Sequence, residues 1–391
     1  MRTQVGIVGA GPAGLVLAHL LDQAGISSVI LENKARDYVQ QRVRAGVLEQ
    51  GTVDLLDEMG VGERMHREGI VHHGIELRFE RRGHRIPMSD LTNGRAITIY
   101  GQQEVVKDLI DARLAAGQEL HFEVDDVSVH DVESDRPRIR FTRDGEAQEL
   151  ECDAIAGCDG FHGICRPSVP ESAVTVYNHE YPFGWLGILA QVAPSTDELI
   201  YANHERGFAL HSLRSPELSR LYIQCDPHDD IANWPDERIW QEMHTRFETD
   251  DGWTLQEGPI VEKGITPMRS FLVTPMQYGR LYLAGDAVHI VPPTGAKGLN
   301  LAVHDVKVLA AALAGWLNDG DESLLQAYSD TCLRRVWRVQ HFSWWMTSML
   351  HRLPGADDFE RRLQIAQLDY VSNSTAAATT LSENYVGLAS I

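Results

Sequence analysis

Apolar and polar positions follow two different rhythms along this chain. Residues 4–8 form a short, continuously apolar run. Residues 14–23 follow with helical spacing, and residues 28–31 form a second apolar run that closes at Glu32. Continuous apolarity over four or five residues predicts strands covered on both faces. A helix between two such strands predicts a parallel pair with a right-handed crossover. Apolar runs at 153–155 and 280–283 each lead into a Gly/Asp turn, and both are expected in the same sheet despite their distance along the chain. From about 70 to 100 and from about 180 to 265 the pattern becomes alternating, as in GIELRFERR, ELIYANHE, GFALHSLRS and SRLYIQCD. A period of two predicts antiparallel strands with one wet face. Residues 323–353 return to helical spacing and carry Trp337, Phe342, Trp344 and Trp345, which suit core packing or a subunit surface.

The turn after the first run reads Gly9-Ala10-Gly11-Pro12-Ala13-Gly14, a GxGxxG pattern. Gly9 permits the tight turn, Gly11 lets backbone approach a pyrophosphate, and Gly14 allows close helix-on-strand packing. Glu32 closes the next strand, where a carboxylate can accept from ribose hydroxyls. The expected fold class is α/β: a Rossmann-like dinucleotide domain from residues 1–70, 98–180 and 266–350, an inserted antiparallel β-sheet domain from 71–97 and 181–265, and a C-terminal helical or interface segment, 351–391.

Charge and cysteine content narrow the partners. With 35 Lys+Arg against 56 Asp+Glu, the net charge is -21. Such a surface repels nucleic acid and anionic membranes, so neither is expected as a partner, and an anionic substrate would need local cations. The five cysteines form no CxxC pair and no metal-ligand spacing, which suits reduced thiols in a cytoplasmic protein without a metal. The first strand begins too early for a signal peptide, and no stretch is expected to reach the ~20 apolar residues of a membrane span.

One face of the alternating region concentrates charge. In GFALHSLRS the side chains of Phe208, Leu210, Ser212 and Arg214 share a face, and in SRLYIQC so do Arg220 and Tyr222. Closing a hairpin over residues 215–219 brings the two arginines together, which is unfavourable unless an anion sits with them. A carboxylate matches the planar arginine fork. A solvated basic edge balanced by surface acids fits the spacing equally well, and Tyr201, one strand earlier, reads by spacing as core.

Two more motifs carry a resemblance. Gly157-Cys158-Asp159-Gly160 follows one apolar run. Gly285-Asp286-Ala287-Val288-His289 follows another and continues through Pro292-Pro293-Thr294-Gly295-Ala296-Lys297-Gly298-Leu299-Asn300. Together with GxGxxG they resemble the class A FAD-dependent aromatic hydroxylases, with Lys297 in place of one glycine. The stretches RVRAGVLEQG, YPFGWLG, ELIYANHERGFAL, QHFSWWMTS and ENYVGL extend the likeness over nearly the whole chain, toward the branch that hydroxylates 4-hydroxybenzoate at carbon 3. The resemblance implies FAD, reduced by NADPH or NADH, with O2 taken up as a flavin C4a-hydroperoxide. It implies a substrate carboxylate on Arg214, Ser212 and Tyr222. The phenol would face Tyr201, with Tyr385 behind it, the Pro293 carbonyl beside it and His72 at the solvent end. FAD would be held by Gly9, Gly11, Gly14, Glu32, Arg42, Arg44, Gln102, Asp159, Asp286, Lys297, Leu299 and Asn300, with Arg220 and Trp185 bordering a mobile flavin. Nicotinamide contacts would fall on Asn33, Tyr38, His162 and Arg269. Asn33 stands where NADPH-preferring members carry a basic residue, so the choice of coenzyme stays open, with a lean to NADPH. A homodimer is implied as well. Related benzoates (3-hydroxybenzoate, 3,4-dihydroxybenzoate or an aminobenzoate) are the alternative substrates, and a non-catalytic FAD-binding scaffold is the alternative class.

Overall fold

The computed structural model describes residues 1–42 and 46–387. Its first sheet has six strands in the order Gln277–Tyr278, Leu281–Leu283, Ala154–Gly157, Val5–Val8, Ser28–Leu31, Leu120–His121. Val5–Val8 lies parallel to both Ser28–Leu31 and Ala154–Gly157, and all four of its residues are buried. The distant runs near 153 and 280 do join this sheet, since Ala154–Gly157 also pairs in parallel with Leu281–Leu283. Helix Pro12–Gln23 makes the crossover between the first two strands. A three-stranded meander, Asp125–His130, Arg138–Arg143 and Glu146–Glu151, is an addition the apolar pattern did not reveal. Its pairing is laced with exposed ion pairs such as Arg140 to Glu149 rather than with an apolar stripe.

The second sheet has eight strands: His289–Ile290, Ile260–Thr274, Thr175–Ala190, Leu218–Cys225, Gly207–Ser215, Leu199–His204, Ile75–Phe79 and Arg82–Ile86. Neighbours run antiparallel with one exception, Leu199–His204 beside Ile75–Phe79, which is parallel. Ile75–Phe79 arrives from a remote part of the chain and forms its hairpin with Arg82–Ile86, so no short connection dictates its direction against residue 199. Residues 180 and 265 lie inside the two longest strands, Thr175–Ala190 and Ile260–Thr274. These pair along their length and carry continuous backbone from one sheet region to the other.

The expectation of one wet face is corrected in the middle of this sheet. Leu186, Ile188, Ala202, Ala209, Leu221 and Ile223 pack with Trp240 and Met243 of helix Asp236–Phe247. On the opposite face Trp185, Tyr201, Phe208 and Leu210 pack with Met346, Met349 and Leu350 of helix Ser323–Leu350 and with Leu381 and Tyr385 of helix Thr375–Val386. Polar members of the alternation, including Asn203 and His211, are buried. Alternation here marks a sheet covered on both faces, with Asn203 buried under one and His211 under the other.

Helix Gly298–Asp319 corrects a second expectation. By length and composition it could cross a membrane. Over half of its most apolar window is buried inside the protein, where Leu301, Val306, Leu309 and Leu313 join the core; its apolarity serves packing. All five cysteines are free thiols, four of them buried.

Candidate active site

The GxGxxG turn has the shape of a phosphate cradle. Gly9 adopts φ +104, and a Cβ there would stand 2.5 Å from the Cys158 carbonyl oxygen. A Cβ on Gly14 would stand 2.0 Å from the Gly9 carbonyl oxygen, whereas one on Gly11 would meet nothing within 4 Å among the described residues. Two glycines are therefore required by packing, and the third keeps open the space above the N-terminus of helix Pro12–Gln23, which has no side-chain cap. Free N–H groups and the helix dipole favour an anion there. The Glu32 carboxylate accepts from Ala10 N at 2.8 Å and Lys34 N at 2.9 Å, which fixes it against the turn. Gly14→Ala is expected to cost roughly 2 kcal/mol of stability and to strip the dinucleotide. Cofactor content of the purified variant checks this, and full occupancy would contradict it.

Asp159 is a second point of fit. One carboxylate oxygen accepts from Cys165 N at 2.9 Å, while the other is buried without a partner among the described residues. Burial raises its pKa above the usual carboxylate range. A cofactor hydroxyl would satisfy the orphaned oxygen. Asp286 is exposed at the end of strand Leu281–Leu283. Its turn is held by Asp305, whose carboxylate accepts from Gly285 N at 3.0 Å and bonds the His289 ring at 2.6 Å. Gln102 opens helix Gln102–Ala115, Leu299 lies in the first turn of helix Gly298–Asp319, and Arg42 is exposed after helix Arg36–Gln41. Arg44 lies outside the described residues.

Two expected cofactor contacts have their side chains committed elsewhere. The Asn300 carboxamide accepts from Glu49 N and Thr52 Oγ1 and donates to the Val47 and Ala296 carbonyls, leaving its backbone N–H at the helix start for a ligand. The Lys297 ammonium is buried, 2.6 Å from Glu49 Oε1 and 2.8 Å from the Tyr385 carbonyl oxygen; it is not the free cation the motif suggested. Arg335 holds the other Glu49 oxygen at 2.6 Å. Burial alone would push the Glu49 carboxyl up, but the two cations and their hydrogen bonds outweigh it and hold the group below its ordinary value. A depressed carboxylate adds stability above the unfolded pKa of ~4.3, and that stability is lost as pH falls through the folded value. Lys297→Met is expected to destabilise the fold by roughly 3 kcal/mol, because it strips one cation from a buried carboxylate. Denaturant unfolding at neutral pH checks it, and an unchanged midpoint would contradict it.

The hairpin register agrees with the alternation. Ser212 faces Arg220, Leu210 faces Tyr222, and the ladder shifts between Leu213 and Ser215, so Arg214 sits at a bulge. Its guanidinium donates to Gln103 Oε1. No ion pair within 4.0 Å involves Arg214 among the described residues. Burial lowers its pKa from the ordinary arginine value, and the Arg220 charge adds to that effect. Arg220 reaches Glu262 only at 3.5 Å and lies over the Tyr222 ring at 5.5 Å. The Ser212 hydroxyl donates weakly to the Leu213 carbonyl at 3.4 Å. A half-buried pair of guanidiniums with one weak carboxylate contact is short of an anion.

Tyr201 is paired opposite Leu210, four residues before Arg214 on the same face, a span of about 13 Å of extended strand. Its hydroxyl donates to the Thr294 carbonyl at 3.2 Å and shares a short hydrogen bond with the Tyr385 hydroxyl. Burial raises both phenol pKa values above the ordinary range, so both stay neutral at working pH. Pro293 is exposed at the start of the turn Pro293–Gly295. It is the next carbonyl, that of Thr294, which Tyr201 engages. His72 is not a surface residue: it is fully buried, and neither ring nitrogen has a hydrogen-bond partner among the described residues. Burial pushes its pKa down to about 4, against the opposing charges of Glu198 and Asp197.

Trp185 is buried, stacked on Phe208 with ring centroids 5.2 Å apart and tilted against Tyr222 at 4.8 Å. His162 and Arg269 meet at Phe161, at 5.0 and 5.1 Å from its ring. Asn33 and Tyr38 are exposed. Sequence reasoning missed Gln103, Thr294, Glu49 and Arg335. Gln103 was masked by its neighbour Gln102, and Thr294 acts through backbone, which carries no residue-type signal.

A family model described as an FAD binding domain matches residues 2–343. The p-hydroxybenzoate hydroxylase of Acinetobacter baylyi is 49% identical over 388 residues, covering 99% of this chain and 96% of that protein. A probable NADH-specific resorcinol 4-hydroxylase of Rhodococcus jostii is 24% identical over 345 residues, covering 83% of this chain and 61% of that protein. Among solved structures, p-nitrophenol 4-monooxygenase PnpA from Pseudomonas putida superposes with a TM-score of 0.85 over 100% of both chains at 18% identity, a likeness of fold. From the match across most of the chain and the near full-length relative, the chain belongs to the FAD-binding domain family, within the class A FAD-dependent aromatic hydroxylases.

Proposed function

We propose that this chain hydroxylates 4-hydroxybenzoate at carbon 3. The balance is 4-hydroxybenzoate, NAD(P)H, a proton and O2 giving 3,4-dihydroxybenzoate, NAD(P)+ and water. The observation that carries the reading is an arginine without a carboxylate partner among the described residues at one end of a buried sheet face and two hydrogen-bonded phenols at the other. An aromatic acid with a para hydroxyl matches both ends at once.

When bound, FAD supplies the redox chemistry, taking a hydride from NAD(P)H and activating O2. The chain's own groups do the rest. Arg214 grips the substrate carboxylate with its planar fork, aided by the Ser212 and Tyr222 hydroxyls. Arg220 adds positive potential in a protein whose net charge of -21 would otherwise repel an anion. Leu199, Leu210 and Trp185 wall the ring from water. Tyr201 Oη takes the phenol proton as its own hydroxyl proton turns from the Thr294 carbonyl and passes to Tyr385 Oη. Because both tyrosines hold their protons tightly, they relay charge without storing it. His72, whose ring nitrogens have no partner among the described residues, stands at the end of the relay across a bridging water, and because burial pushes its pKa down to about 4 it passes the proton on to solvent and does not hold it. Loss of that proton makes the ring carbon ortho to the oxygen nucleophilic, which an electrophilic oxygen donor requires.

Gly9, Gly11, Gly14, Glu32, Asp159, Asp286 and the N–H groups of Leu299 and Asn300 are assigned to FAD, and Asn33, Tyr38, His162 and Arg269 to the nicotinamide coenzyme. Arg36 is a weak candidate for a coenzyme phosphate, since it pairs with Asp111 at 2.7 Å. Exposed Trp337, Trp344, Phe359, Leu363 and Tyr370 suit a homodimer face. Five free thiols suit the cytoplasm. The test is NADPH and NADH oxidation with a panel of benzoates, product measured alongside. 4-Hydroxybenzoate is expected to give the highest product yield per coenzyme. Higher yield with an acid lacking the para hydroxyl would overturn the assignment.

A further inference from the structure

We propose that His351 is a positioning residue for this reaction, holding Trp185 against the substrate face; the inference rests on the 4-hydroxybenzoate reading above. His351 follows helix Ser323–Leu350 and is fully buried. Its Nε2 accepts from the Trp185 indole N–H at 2.6 Å, and its Nδ1 donates to the Thr347 carbonyl at 3.0 Å. An indole N–H only donates and a carbonyl only accepts, so the two partners select one neutral tautomer. Burial pushes the imidazole pKa down to about 3, which keeps Nε2 an acceptor throughout the working range.

The imidazole is also stacked, 4.2 Å from the Phe208 ring and 4.7 Å from Phe183. Trp185 in turn packs 4.8 Å from Tyr222, one of the groups assigned to the substrate carboxylate. The same short segment reaches the phenol end. Thr347 Oγ1 lies 2.9 Å from Thr294 Oγ1, and the Thr294 carbonyl accepts from Tyr201. One helix end thus ties the aromatic wall of the site to the carbonyl that orients its phenol group. Removing the acceptor leaves a buried indole N–H unpaired, and the indole is then free to turn away from Tyr222.

The test is a mutant cycle on the full-length, FAD-loaded enzyme, reading KM for 4-hydroxybenzoate, kcat and product per NAD(P)H. His351→Phe keeps the ring stack and removes both hydrogen bonds. It is expected to raise KM about tenfold and to lower product yield, with kcat for coenzyme oxidation changed far less. His351→Gln, whose amide oxygen can accept from the indole, is expected to recover most of the loss. His351→Asn can keep the bond to Thr347 but falls short of the indole; it carries the same expectation as phenylalanine if that variant does not fold. In a Trp185→Phe background, which has no indole donor, His351→Phe or His351→Asn is expected to change KM by less than about twofold. An equal loss for the glutamine variant, or the same tenfold loss without the indole, would show a merely structural role and overturn the inference. A wild-type enzyme that makes no 3,4-dihydroxybenzoate overturns the underlying reading and this inference with it. An active wild type with an additive cycle rejects the inference alone.

Discussion

Arg214→Lys is expected to weaken 4-hydroxybenzoate binding by at least about a hundredfold while leaving FAD content unchanged. Both side chains carry one positive charge, so long-range attraction is kept. What disappears is the planar pair of N–H donors that meets both carboxylate oxygens at once. Arg214 already spends one nitrogen on Gln103, and its position at the bulge aims the fork. A lysine ammonium, shorter and round, cannot hold Gln103 and a carboxylate in the same geometry. Truncating one member of a buried charge pair costs about 2–5 kcal/mol, and a lysine that keeps the charge should lose toward the lower half of that range. Substrate titration followed by flavin absorbance measures it. Unchanged affinity would remove Arg214 from the site.

Tyr201→Phe is expected to separate coenzyme oxidation from hydroxylation. NAD(P)H oxidation should continue, because the phenyl ring preserves the shape of the face, while product per NAD(P)H falls by about a hundredfold. The Tyr201 hydroxyl touches Tyr385 and the Thr294 carbonyl. Its removal breaks the relay at the first step and leaves the substrate phenol protonated. Tyr385→Phe should lower the yield less, since Tyr201 still contacts the substrate. Burial holds both phenols above their ordinary range, so no loss of activity on raising pH below ~10 is assigned to them. Product quantification against coenzyme consumed decides the matter, and normal coupling in Tyr201→Phe would refute the phenolate role.

Much of this arrangement was legible in the chain, for physical reasons that differ from part to part. The parallel strands were readable because four consecutive buried residues, Val5–Val8, leave no polar position to blur the signal. The cradle was readable because Gly9 and Gly14 are fixed by backbone approaches that no side chain survives. The shared face of Ser212, Arg214, Arg220 and Tyr222 followed from a period of two, but the register did not, since the turn is tighter than residues 215–219 and sets Ser212 opposite Arg220. The meander of residues 125–151 was hidden because charge pairs, not an apolar stripe, decorate it. The fate of Lys297 was hidden because its partner Glu49 lies 248 residues away, and no local pattern announces such a pair. The burial of His72 was not legible because sequence assigns burial through neighbours in the chain. Its cover comes from tertiary packing that leaves both ring nitrogens without a partner among the described residues.

The most direct test of the account is a crystal structure of the FAD-loaded enzyme with 4-hydroxybenzoate. The ring is predicted to lie along the buried sheet face, with both carboxylate oxygens about 2.8 Å from the Arg214 guanidinium and the phenol oxygen about 2.7 Å from Tyr201 Oη. A ligand with its carboxylate in bulk solvent, or turned so that its hydroxyl meets Arg214, would contradict it.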